Sequence, residues 1–165
     1  MIGFHAPRLL RRILYPLAAT IVGAAATPAI GQPSEGGLYI AGAGFSFARA
    51  AAQALGANPE GQRFFLLSLP PETQALATSA SGPVATVRDR VVAAGGVLFV
   101  CQRDVDSGKV DLARLVPGVV AVRGWPPGGA SGTMPQGERY FQGENRAVLP
   151  ASNEALRRLR ASCSN

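Results

Sequence analysis

The chain has 165 residues, 47% of them hydrophobic and 16% charged, with 16 Lys and Arg, 10 Asp and Glu, one histidine and two cysteines. That length is one domain with room for a real core. The net charge of +6 sits on scattered basic residues with few aromatics between them, which excludes a nucleic-acid-binding stripe.

The N-terminus reads as an export signal. Arg8, Arg11 and Arg12 form a positive segment, Ile13 to Ala26 is uncharged and apolar, and small residues follow, the order that signal peptidase recognises. Cleavage is expected after Gly31, with Ala29 three positions from the cut; after Ala26 is the second choice. An uncut anchor is the alternative, opposed by Pro16 and by a stretch too short to span a bilayer comfortably. The expectation is a periplasmic or secreted protein with no membrane contact after cleavage. The remaining 134 or so residues carry 13 basic side chains, twelve of them Arg, against 10 acidic ones, a net charge of +3. His5 leaves with the signal, and with it go Ser-His and Cys-His nucleophile pairs and the usual zinc sets. Chemistry is left to Cys, carboxylates, Arg, Tyr39, Tyr140 and Lys109, and no cofactor is expected.

Residues 37–41 form a first strand that breaks into Gly42-Ala43-Gly44. Phe47, Ala50, Ala51, Ala54 and Leu55 then recur at helical spacing, with Ser46 as N-cap and Gly56 as the stop. The apolar run 64–69 is a strand buried on both faces, ended by Pro70-Pro71. Small polar residues 72–81 lead to a helix opened by Gly82-Pro83, in which Val84, Val87, Val91 and Val92 make one stripe. Gly95-Gly96 closes it. Strands over 97–101 and 118–122 enclose a polar loop and a short helix over 111–115. Residues 125–137 hold three prolines and four glycines and read as irregular. Residues 139–142 suit a short strand. Ser152 to Cys163 is a helix with Leu156, Leu159 and Cys163 on one face and Arg157, Arg158 and Arg160 on a wet face.

Strands alternating with helices, without hairpin signals, predict an α/β fold. Its expected form is three layers, with a mainly parallel sheet of four to five strands and helices on both faces, in the flavodoxin- or Rossmann-like manner. The core is 32–123, followed by a Pro/Gly-rich loop over 124–150 and a C-terminal helix of the same domain over 151–165.

The run Val97, Phe99, Val100, Cys101, then Asp111, Leu112, Leu115, Pro117, Gly118, Val119 and Val122 resembles the DsrE/DsrF-like family of sulfur-relay proteins and their periplasmic relatives. The resemblance implies that Cys101, at the end of the third strand, bears a persulfide passed between proteins. It also implies a sulfur-donor or redox partner and a homo-oligomer. After residue 123 the chain departs from that pattern, with a Pro/Gly-rich loop and an Arg-rich helix ending in Cys163.

Three roles for Cys101 stay open on the sequence. Parallel sheets bind ligands beyond their carboxyl ends, and Arg103 would favour a thiolate there. Two cysteines in an oxidising compartment form a disulfide by default, and Cys163 could also act as a resolving thiol. Free cysteines are otherwise buried small hydrophobes. The functional alternatives are therefore a sulfur carrier or thiol redox partner working through Cys101, more a carrier or binder than a turnover enzyme, and a non-enzymatic binding or assembly module stapled by Cys101–Cys163. Gly42-x-Gly44 follows a strand and opens a helix, but Phe47 replaces the third glycine of a dinucleotide fingerprint; a tight turn able to bind a small anion is the simpler reading. Trp125 is expected to lid the crevice or anchor its loop. Asp104, Asp106 and Asp111 lack the bidentate Glu of a calcium loop and read as solvated charges.

Overall fold

The computed structural model describes residues 35–58, 61–127 and 140–164; the expected signal and residues 128–139 of the Pro/Gly-rich loop lie outside them. Four strands, β1 (Leu38–Ala41), β2 (Phe64–Ser68), β3 (Gly96–Cys101) and β4 (Val120–Val122), form one parallel sheet in the order β1-β2-β3-β4. Helices α1 (Phe47–Ala57), α2 (Gly82–Ala93) and α3 (Gln102–Asp106) lie in the three crossovers, and α4 (Asn153–Ser162) ends the chain. This is the expected three-layer α/β fold.

The strand order decides how the layers are filled. Right-handed crossovers that advance in one direction all fall on one face of the sheet. Accordingly Phe47, Ala50, Ala51 and Ala54 of α1 and Val91 of α2 pack on Phe64, Leu66, Leu98 and Val100. The other face would be bare without the C-terminal segment. There Phe65, Leu67, Phe99, Cys101 and Val122 meet Leu149, Ala155, Leu159 and Cys163, and Phe65 stacks on Phe99 with ring centroids 6.0 Å apart. Each large apolar side chain buried there contributes roughly 1.5–3 kcal/mol. β2 is fully buried along its whole length, as a central strand covered on both faces requires.

Two periodicities bring the cysteines together. Alternation along β3 puts Cys101 on the face of Phe99, while spacing of four along α4 aligns Ala155, Leu159 and Cys163. The Cα atoms are 5.1 Å apart and the sulfurs are bonded, well inside the reach of a disulfide.

Several local expectations are corrected. Helix α1 runs through Gly56 to Ala57 and is closed by Asn58, whose side chain donates to Ala54 O at 2.6 Å. The valine stripe of α2 does not become its buried face, since Val84 and Val92 are exposed while Arg88 and Val91 are buried. The reason is that Arg88 reaches inward to donate to Ala77 O at 2.9 Å. The small polar stretch contains a 3₁₀ turn, Glu72–Leu76, with Ala75 and Leu76 in the core. No strand forms at 140–142; Phe141 instead packs edge-on against Trp125, with centroids 6.1 Å apart. Arg160, expected on the wet face of α4, is buried with its side chain 6% exposed against Glu144.

Candidate functional site

At the carboxyl ends of β3 and β4 lies a cleft of about 550 Å³, lined by Gln102, Arg103 and Asp106 from α3, by Arg123, Gly124, Trp125 and Pro127 after β4, and by Tyr140 and Cys163. The strand order has no reversal, so this is not the switch-point crevice of a doubly wound sheet. It opens because α3 leaves the sheet end while the C-terminal segment arrives on the opposite face.

The sequence candidates divide between two places. Arg103, Trp125 and Cys163 border the cleft. Cys101 lies behind its wall, 0% exposed, and Cys163 is only 3% exposed; each sulfur is bonded to the other. Gly42 and Gly44 are elsewhere, after β1 at the far edge of the sheet.

The Gly42–Gly44 turn satisfies its own backbone. Gly42 and Phe45 exchange N–H···O bonds of 2.8 and 3.0 Å, and the Ser46 hydroxyl accepts from Arg49 N. Phe47 N donates to the Glu72 carboxylate at 2.7 Å. An internal anion therefore already occupies the helix N-terminus, where an exogenous one would otherwise bind. Glycine is required at position 42, where φ is +137° and an added Cβ would stand 2.8 Å from Leu69 Cβ.

Charge in the cleft is partly neutralised by the protein. Arg103 donates to Ser164 O, and its Nε is 3.8 Å from Asp104 Oδ1. Asp104 was expected in solvent; it is 4% exposed, with Oδ2 lacking a hydrogen-bond partner among the described residues. Helix α3 starts directly after Cys101, which turns residue 104 inward, whereas Asp106 and Asp111 are exposed. Arg123 donates from Nη1 to Tyr140 O at 2.7 Å and Gln142 O at 3.3 Å, and has no carboxylate partner among the described residues. Asp106 accepts from Gln102 Nε2 at 2.8 Å.

Behind the cleft, Arg160 and Glu144 form a buried pair at 2.8 Å. The Arg160 guanidinium lies 3.6 Å from the Phe141 ring centroid and 5.9 Å from that of Trp125. It also donates to Arg123 O at 2.9 Å, while Glu144 accepts from Arg123 N at 3.1 Å. Trp125 is thus a wall fixed from behind. Sequence reasoning missed Arg123 altogether, although it follows β4 as Arg103 follows β3.

Gly124 is where the C-terminus comes closest to this wall. A Cβ there would lie 2.3 Å from the backbone C and O of Cys163 and 2.4 Å from Ser164 N. The disulfide prevents position 163 from moving away. Gly124→Ala is expected to cost about 3 kcal/mol, at the upper end for overpacking, and to lose the 2.8 Å bond from Trp125 N to Ser164 Oγ. Urea unfolding of the two proteins measures it.

No family model, curated protein or solved structure matches the chain.

Proposed function

We propose that this chain is an exported, non-catalytic binding module in which Cys101–Cys163 is a structural staple. The observation that carries the proposal is the burial of both sulfurs within their bond, 0% and 3% exposed, between β3 and the C-cap of the helix that covers the second face of the sheet. A sulfur carrier needs the opposite: an exposed, unpaired and partly ionised thiol. A closed disulfide also fits an oxidising compartment, in keeping with the export signal read from residues 1–31. The cleft beside the staple provides the binding surface.

Intact-mass measurement of protein recovered from its own compartment, before and after reductant, tests this reading. The expected mass lies two hydrogens below that of the reduced chain. A product one sulfur atom heavier, with the excess removed by Cys101→Ser, would establish the carrier instead.

A further inference from the structure

We infer that the cleft at the carboxyl ends of β3 and β4 binds a small planar monocarboxylate, held by Arg123 and by the faces of Trp125 and Tyr140. The inference rests on the binding-module reading and names the ligand class for that surface.

The charge balance selects a monoanion. Of the cations at or behind the cleft, Arg160 is matched by Glu144 and Arg103 faces Asp104, whereas Arg123 has no carboxylate partner among the described residues. Its side-chain bonds to the described residues both leave from Nη1 and run to backbone carbonyls. Among the described residues Nε and Nη2 have no hydrogen-bond partner, which leaves the two donors of a guanidinium edge, the geometry that fits a carboxylate bidentately. Those carbonyl bonds also hold the guanidinium in place before a ligand arrives, which lowers the ordering cost of binding. Asp106, exposed on the same lining, opposes a second negative charge on the ligand.

The walls select a planar body. Trp125, Pro127 and Tyr140 give the cleft flat apolar surface. Trp125 packs edge-on against Phe141 at 6.1 Å, and Tyr140 does so at 5.0 Å, so their orientations are set by packing. Tyr140 is 37% exposed. A volume near 550 Å³ is in the range of small-molecule sites, and the lining sets the aromatic side chains beside the polar groups of Gln102, Arg103, Asp106 and Arg123. A phosphate would find one arginine without a carboxylate partner among the described residues and the Asp106 carboxylate opposing its second charge, a poor exchange for its hydration.

Trp125 is the sole tryptophan of the chain, so indole fluorescence reports on this cleft alone. The experiment titrates the oxidised protein with benzoate, with neutral benzamide and with inorganic phosphate. Benzoate is expected to give a saturable change with a dissociation constant near or below about 1 mM, and benzamide and phosphate are expected to give none in that range. Arg123→Gln should weaken benzoate by about tenfold or more. Asp106→Asn, at an exposed carboxylate bonded to Gln102, should tighten it several-fold. If Arg123→Gln fails to fold by circular dichroism, Arg123→Lys, which keeps the charge and loses the fork, should fall between wild type and no binding, and Asp106→Asn carries the opposite sign independently. Absence of a benzoate response up to about 10 mM, an equal response to benzamide or phosphate, or benzoate affinity unmoved by these variants overturns the inference. Intact mass on the same sample keeps the two proposals apart. A closed bridge without a benzoate response refutes only the ligand class; a free thiol or an added sulfur refutes the staple whatever benzoate does.

Discussion

Replacing Cys101 and Cys163 together by alanine is expected to lower the unfolding free energy by about 4 kcal/mol. The bridge spans 62 residues, and on the chain-entropy model a loop of that size stabilises the fold by this amount through constraint of the unfolded chain. For a domain of this size the loss corresponds to a fall in Tm of roughly 10–20 °C. The native structure itself should survive at low temperature. Leu159 stays buried on the sheet face, Arg160 stays bonded to Glu144 and Arg123, and Trp125 N still donates to Ser164 Oγ. The double variant should therefore give a native circular dichroism spectrum at 20 °C and an earlier urea midpoint. A loss below about 1 kcal/mol would mean that the bridge does not constrain the unfolded chain as this model requires.

Glu144→Gln is expected to cost about 3–5 kcal/mol, because removing one partner of a buried ion pair leaves the other charge uncompensated. The side chains of Arg160 and Glu144 are 6% and 10% exposed, so solvent cannot screen the remaining guanidinium. The aromatic rings around Arg160 offset only part of that loss. Double replacement, Glu144→Leu with Arg160→Met, should recover much of the stability, since a well-packed apolar pair can equal a buried ionic one. Urea unfolding of Glu144→Leu, Arg160→Met and their double, followed by Trp125 fluorescence, gives the coupling directly. A single variant within about 0.5 kcal/mol of wild type would show that the pair is hydrated and not buried.

The strands were legible because each is a short apolar run stopped by glycine, proline or polar residues, and because β2 is apolar on both sides as only a covered strand can be. The strand order was not legible, since consecutive βαβ units fit several orders equally well. Helix α2 misled because its valines suggested one face while Arg88, long enough to reach Ala77 O, fixed another. Arg160 misled for a related reason: its position on α4 reads as solvent, and what buries it is Glu144 and Phe141, far away in sequence on an irregular segment. The pairing of Cys101 with Cys163 was half visible, in the alternation with Phe99 and the spacing from Leu159. Whether the two stripes faced each other depended on α4 crossing to the bare side of the sheet. Arg103 and Trp125 do share one cleft, while Gly42 and Gly44 belong to a closed turn at the other edge.

The rate of disulfide reduction in native buffer tests the staple most directly. Folded protein is mixed with increasing dithiothreitol and quenched with an alkylating agent, and the labelled sites are read by mass spectrometry. If the bridge is buried structure, reduction waits for the fold to open, so its rate levels off as reductant rises and both cysteines become labelled together. A rate that climbs in proportion to reductant without limit, with one cysteine labelled while circular dichroism remains native, would show a working thiol pair at the surface and contradict the account.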